Sequence, residues 1–430
     1  MRTNQEMLQA LEGLLAISSV AGEDVTPEAP YGTGVAKALA YTLRLCRELG
    51  MRTVNRDGQT AWAEIGEGDE LVAVIPHVDV VPAGDGWTME PFACTKRDGR
   101  LYGRGSADNK GPAIACVFAA ADLLAEQLPL SRRIRLIFGQ CEETGQWSDM
   151  AYYRRHEEQP CAGFTPDAEF PALCGEKGML WLELSMPLEH SGLSLLEGGS
   201  ACNMVASWCR ARFRDGSGGD RLVETQGLAA HATVPEQGDS AIRKMVEELS
   251  RAGLQNPLIS FYNKYIGESC HGEKLGCCFQ DDASGTTTLC SGMVRTDGGV
   301  IHMTLDIRYP VTADGGLILE TVTAAAQAEG LTLGVLKHDK PLYRAPSDPV
   351  LQQLLAAYRE EIGDFSDPLV IGGGTYARAL DNIVGFGAAF PGRRHTEHQK
   401  DEYILEEDFY KLRSIYRTAL KKLLVMDLSI

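Results

Sequence analysis

The chain has 430 residues, 44% of them hydrophobic and 23% charged, with a net charge of −18. This length allows one to three domains with a sizeable core. The acidic balance excludes nucleic acid and anionic membrane surfaces as partners, because both require basic patches, and no apolar run is long enough to span a bilayer.

No basic region followed by an apolar core opens the chain, so no secretory leader is expected. Thr3 and Glu6 have capping-box spacing, and Met7, Leu8, Leu11, Leu14 and Leu15 then recur at helical intervals. Leu43 to Leu49 reads as the end of a second helix, and Thr60 to Ile65 as a strand. Leu71 to Ile75 is all apolar and bounded by turn residues, the pattern of a strand buried on both faces. It runs into Pro76-His77-Val78-Asp79. A glycine-rich loop leads to Asp108, and Pro112 suits the first turn of the apolar helix that follows, to Ala125. Ile134 to Phe138 is another buried-type strand, followed at once by Gly139-Gln140-Cys141-Glu142-Glu143. Asp149 to His156 reads as a short helix, and Gly163 to Asp167 as a strand end and turn.

The character of the chain changes near Gly175-Glu176-Lys177-Gly178. Short alternating strands, glycine loops and isolated helices are expected from there to about Tyr343. Asp239 to Leu249 is one helix, with Asp239 as a possible cap, and Thr321 to Glu329 is another. Met303 to Tyr309 alternates strictly and reads as a half-buried strand. After Ala345 the α/β pattern returns. Ser347 or Asp348 can cap a helix begun by Pro349. Leu369 to Ile371 runs into Gly372-Gly373-Gly374-Thr375, Ile383 to Phe386 reads as a last strand, and a final helix starts at Glu406.

The expected fold class is therefore α/β: a catalytic domain with a mostly parallel sheet flanked by helices, built from residues 1–178 and 344–430, plus an inserted α+β lid domain, 179–343. Twelve cysteines include no C-x-x-C pair, and the adjacent Cys277-Cys278 lack zinc-ribbon spacing. Reduced thiols in a cytoplasmic protein are expected.

His77, Asp79, Asp108, Glu142, Glu143, Asp167 and His398 each follow, or lie just beyond, a predicted strand end. That is where open α/β sheets place their chemistry. Imidazole and carboxylate donors without thiolates suit zinc, or manganese and cobalt. A two-metal hydrolase needs a carboxylate to bridge the ions and a free carboxylate to move the proton of the attacking water. In Glu142-Glu143 one side chain can ligate while the other acts as base. Taken singly, a Glu-Glu pair is ordinarily solvated surface, Asp167 after Pro166 is a turn residue, and His395 and His398 are loop histidines. Spacing does not choose between His395 and His398.

The strings around these residues resemble the co-catalytic metallopeptidases and deacylases, the family of aminoacylase, acetylornithine deacetylase, succinyl-diaminopimelate desuccinylase and the PepV dipeptidases. They are Pro76 to Gly84, Leu101 to Gly111, Glu142-Glu143-Thr144-Gly145, Gly163 to Pro171, Gly175 to Gly178, Gly374 to Arg378, and Phe390-Pro391-Gly392. Gly163 to Gly178 is most similar to the PepV branch. The resemblance implies two divalent ions, zinc first, with Asp108 bridging. His77 and Asp167 complete one site, and Glu143 and His398 the other. His398 is favoured over His395 because Gln399 and Glu402 follow it as in the family.

The resemblance further implies Glu142 as general base, with Asp79 orienting His77. His231 steadies the oxyanion, and Asn203, Arg308, Gly373, Gly374 and Thr375 bind substrate. Cys141 departs from the family, where a polar residue such as aspartate is common. The implied reaction is hydrolysis of dipeptides with a free amino terminus by a hydroxide held between the metals. The alternative is an N-acyl amino acid deacylase of the desuccinylase type. A non-catalytic binding protein on the same fold is more remote, because no ligand is missing. The expected partner is the dipeptide itself, and the long inserted region points to a monomer with His231 acting in cis, a dimer being the alternative.

Overall fold

The structure, a computed structural model, describes residues 2–127, 132–214 and 218–426. The chain divides into two compact units. The first comprises Met1–Cys174, Arg344–Leu369 and Gly374–Ile430, and the second Gly175–Tyr343 and Val370–Gly373.

A six-stranded sheet forms the centre of the first unit. Its order is Arg52–Arg56, Thr60–Ile65, Arg133–Ile137, Leu71–Val74, Ala162–Thr165 and Ile383–Gly385. The first two pairings are antiparallel, and the remaining three are parallel. Leu71–Val74 sits between two parallel neighbours and is buried along its whole length, as an uninterrupted apolar run requires. Helix Lys110–Ala125 is buried almost all round and packs against helices Asn4–Leu15 and Glu406–Val425. Its one acidic interruption, Asp122, is neutralised inside the unit by the Arg413 guanidinium, which donates from Nε at 2.7 Å and from Nη2 at 2.6 Å. The Thr3 capping box on the first helix is complete.

The second unit holds a seven-stranded antiparallel sheet. Its order is Asp220–Gln226, Trp208–Arg214, Leu193–Gly198, Thr288–Asp297, Val300–Tyr309, Gly178–Pro187 and Thr332–Asp339. Helices Ala241–Arg251, Pro257–Phe261 and Gly315–Ala328 bury their apolar faces in its core.

Several local expectations need correction. Three strands here run ten residues rather than being short. Helix Ala241–Arg251 is capped by Ser240, whose hydroxyl accepts from Arg243 N–H at 3.2 Å. Asp239 stands one residue too early and instead pairs with Arg243 and Lys244. The helix expected from Thr321 begins at Gly315, with Asp314 as its cap. Val300–Tyr309 is buried on both faces over its second half. Of the two possible caps before Pro349, Asp348 does the work, accepting from Leu351 N–H at 3.0 Å. Ile383–Gly385 is not the last strand, since Ala388–Ala389 and Tyr403–Leu405 follow it.

Candidate metal centre

Three neighbouring parallel strands deliver the centre. Past Val74 come His77 and Asp79, past Ile137 comes the turn holding Glu142 and Glu143, and past Thr165 comes Asp167. A lone parallel bridge between His77 and Gly139 prolongs the contact of the first two strands beyond their regular ends. Asp108 arrives from the loop before helix Lys110–Ala125, across a cis peptide to Asn109. Asn109 ties this loop to the third strand: its Nδ2 donates to the Pro166 carbonyl at 2.7 Å, and its Oδ1 accepts from His77 N–H at 3.3 Å.

The donor atoms converge. His77 Nε2 lies 2.9 Å from Asp108 Oδ1 and 3.7 Å from Asp167 Oδ2. His398 Nε2 lies 3.0 Å from Asp108 Oδ2 and 2.9 Å from Glu143 Oε2. Asp108 thus sits between two imidazoles with one oxygen toward each. Among the described residues, two groups each bring one donor atom per residue within 4.8 Å of one another: His77, Glu142 and Asp167, and His77, Asp108 and Glu143. His395 points elsewhere, with Nδ1 3.5 Å from Glu397. Asp79 is fully buried behind the cluster. Its backbone carbonyl lies 3.1 Å from His77 Nδ1, and its Oδ2 accepts from Glu143 N–H at 3.0 Å.

The electrostatics describe a site that demands positive charge. Burial raises the Glu142 carboxyl well above its usual range, and Asp167 beside it adds to the rise. Burial followed by Asp108 lifts Glu143 to about 7, and the same two causes raise Asp167. Burial also works against a charged Asp108, but hydrogen bonds from His398 and His77 outweigh it and hold this carboxyl below its ordinary value. Burial likewise opposes a charged His77, yet its contacts with Asp108, Asp167 and Asp79 raise it well above normal. Four acids so close cannot all ionise unless cations accompany them. Nitrogen and carboxylate oxygen with no sulfur is a donor set that fits borderline divalent ions. The His398 side chain is 54% exposed, so the centre opens to solvent on that side.

The remaining expected site residues lie elsewhere in the chain. Gly374 and Thr375 belong to the first unit, where Thr375 Oγ1 accepts from Ala377 N–H at 3.1 Å and starts a short turn. Asn203, His231, Arg308 and Gly373 belong to the second. There, Asn203 O accepts from Ala232 N–H at 2.9 Å, and Ala232 O accepts from Thr288 Oγ1 at 2.8 Å. Thr288 is the register partner of Arg308. His231 Nδ1 lies 2.8 Å from Thr233 Oγ1. The Arg308 guanidinium is gripped by Asp306 at 2.6 and 2.8 Å, and its Nη1 donates to Gly372 O at 2.9 Å.

Arg104, Asn109 and Tyr376 lie within the strings that carry the resemblance, and Asp149 opens a predicted helix, but neither they nor Glu402 carried a role in the sequence; all five are buried around the centre. The available signal was polarity in the wrong place. Arg104 stands between glycines in a loop, and Asp149 is an acid next to an apolar stretch.

Imidazoles and carboxylates gathered at the carboxyl ends of a parallel sheet, with Glu142 drawn in among them, define a metal-dependent hydrolase. The family model described as peptidase family M20/M25/M40 matches residues 73–422, and the chain belongs to that family. It is 35% identical to the "Putative dipeptidase YtjP" of Bacillus subtilis (strain 168), with 98% of each chain covered. Its fold resembles that of human carnosine dipeptidase 1, with a TM-score of 0.65 and 17% identity over 98% of this chain and 96% of that one. It also resembles that of the Bacillus subtilis YXEP protein, whose structure is titled a dinuclear metal binding peptidase from the M20 family. The TM-score there is 0.54, at 12% identity over 98% of each chain.

Proposed function

We propose that this protein is a two-metal dipeptidase acting on dipeptides with a free amino terminus. The observation that carries the reading is the meeting of His77, Asp108, Glu143, Asp167 and His398 around one point, with Glu142 beside them. The dipeptidase names of its relatives support the substrate class. Asp108 would be shared by the two ions, His77 and Asp167 would hold one, and Glu143 and His398 would hold the other. Zinc suits these donors best, with manganese or cobalt as alternatives. Bound divalent ions polarise the scissile carbonyl and bring water's pKa toward neutrality.

Glu142 is the general base. Its carboxylate takes a proton from the attacking water while the water oxygen bonds to the carbonyl carbon. It returns that proton to the amine nitrogen as the C–N bond breaks. Asp79 fixes the ring of His77 and the backbone of Glu143. His231 steadies the oxyanion. Asn203, Arg308, Gly373, Gly374 and Thr375 bind substrate, with the Arg308 fork suited to a carboxylate. The working form is a monomer with His231 in cis.

The test is a screen of the purified protein on dipeptides alongside acetyl-amino acids and succinyl-diaminopimelate. Dipeptides should be split, a chelator should stop the reaction, and zinc, manganese or cobalt should restore it. Glu142→Ala should abolish turnover while retaining metal. Preference for the acylated substrates would overturn the dipeptidase assignment, and unchanged activity in Glu142→Ala would overturn the base.

A further inference from the structure

Among the described residues, nothing donates a hydrogen bond to the Glu142 carboxylate, whose surroundings are burial and other charges. A base that must reach a water within a few tenths of an ångström therefore has to be aimed by its main chain. Resting on the reading of Glu142 as base, we infer that Asp149 and Tyr376 are positioning residues that aim Glu142 by anchoring the turn it stands on.

The anchor is one fully buried carboxylate in the first turn of helix Ser148–His156. Asp149 Oδ2 accepts from Gln140 N–H at 2.7 Å and from the Tyr376 hydroxyl at 2.8 Å. Its Oδ1 accepts from the Cys141 thiol at 3.2 Å. The two residues immediately before Glu142 are thus pinned from one side. From the other, Thr144 Oγ1 donates to Cys141 O at 2.9 Å and Trp147 Nε1 donates to Glu142 O at 3.1 Å.

Tyr376 extends the brace to the histidine. Its ring lies over Gly139, where a Cβ would come within 2.2 Å of it. The ring also stands edge-on to His77 at 6.4 Å and to Trp147 at 5.7 Å. One side chain therefore touches both strand ends that bring His77 and Glu142 together.

This arrangement accounts for Cys141. An aspartate there would set two buried carboxylates against each other, whereas a thiol donates to Asp149 and adds no charge beside the base.

Tyr376→Phe deletes one hydroxyl, and Asp149→Asn replaces one acceptor oxygen by a donor. In the metal-loaded full-length protein, each variant should lower kcat on a dipeptide about tenfold or more, because small misplacements of a reacting group are costly. KM should move by less than about threefold, the mark of an interaction needed only in the transition state. Metal content should equal that of the unaltered protein. Hydrogen exchange should quicken in residues 139–147 and stay unchanged in the strand at 71–74.

Unchanged kcat and unchanged local exchange in both variants would overturn the inference. So would metal loss with exchange quickening throughout the first unit, which marks a general structural role. If the unaltered protein splits no dipeptide, the functional reading falls. The exchange arm then decides the inference alone: quickening confined to 139–147 sustains the anchor, and its absence removes it.

Discussion

Glu402 gathers four donors onto one buried carboxylate, and three of them are backbone groups of the loop that ends in Asp108. Arg104 Nη1 donates at 2.6 Å, Gly105 N–H and Asp108 N–H at 3.1 Å, and Ala107 N–H at 3.0 Å. Burial and the nearby Asp108 push this carboxyl up to about 7, against the pull of Arg104. Arg104 is buried as well and donates to the carbonyls of Pro82 and Ala83 at 3.3 and 3.2 Å. The pair therefore ties the loop after Asp79 to the loop before Asp108. Removing one partner strands the other: Glu402→Ala leaves a buried guanidinium uncompensated and should cost about 3–5 kcal/mol in urea unfolding. The double variant Arg104→Met with Glu402→Leu should recover much of that stability, since no lone charge remains. It should not recover metal affinity in a titration, because three loop N–H groups then lack the acceptor that places Asp108. Equal affinity in the double and unaltered proteins would show that the loop holds its shape without Glu402.

At the scale of elements, what the sequence disclosed depended on whether the deciding partner was near in the chain. The Leu71 strand, the Thr3 capping box and the apolar helix after Asp108 were legible because their signals are local runs and periodicities. The strand-end positions of His77, Glu142 and Asp167 were legible for the same reason, each being the first acid or imidazole beyond an apolar run, whereas Asp108, Glu143 and His398 stood out only through the family resemblance. Arg104 with Glu402 and Asp149 with Tyr376 were not, being 298 and 227 residues apart. The strand Val300–Tyr309 shows how a local signal misleads. Thr304, Asp306 and Arg308 alternate with apolar residues as on a wet face, yet all three are buried. Asp306 accepts from Arg308 and from Trp181 Nε1, and Thr304 Oγ1 accepts from Met293 N–H. Their polarity is satisfied within the protein rather than by water. The cap of helix Ala241–Arg251 provides a direct measurement. Ser240→Ala removes an N-cap hydrogen bond and should cost about 1 kcal/mol. Asp239→Ala removes only ion pairs open to solvent and should cost about half of that or less. Thermal unfolding of the two variants side by side checks the order, and a larger loss from Asp239→Ala would return the cap to that residue.

Across the whole molecule, the proposed metal ligands all belong to one of the two units, although they span the chain from His77 to His398. The second unit has its own sheet, its own helices and its own apolar core. Each unit thus buries enough apolar surface to unfold as a body of its own, and two calorimetric transitions are expected rather than one. A ligand that binds only the folded form of one body raises that body's stability by mass action, about 2.7 kcal/mol when the free ligand exceeds its dissociation constant a hundredfold. Zinc added to the chelator-treated protein should therefore move one transition upward and leave the other in place. The single-site variants identify which is which. Glu402→Ala should lower the midpoint of the transition that responds to metal, because its loop carries Asp108. Ser240→Ala should lower the midpoint of the one that does not, because its helix lies in the second sheet's core. Scanning calorimetry of the three proteins, with and without metal, gives all of these shifts in one set of traces. A metal shift shared equally by both transitions would mean that the ligands' unit does not respond alone, and would place part of the ion binding energy in the second unit.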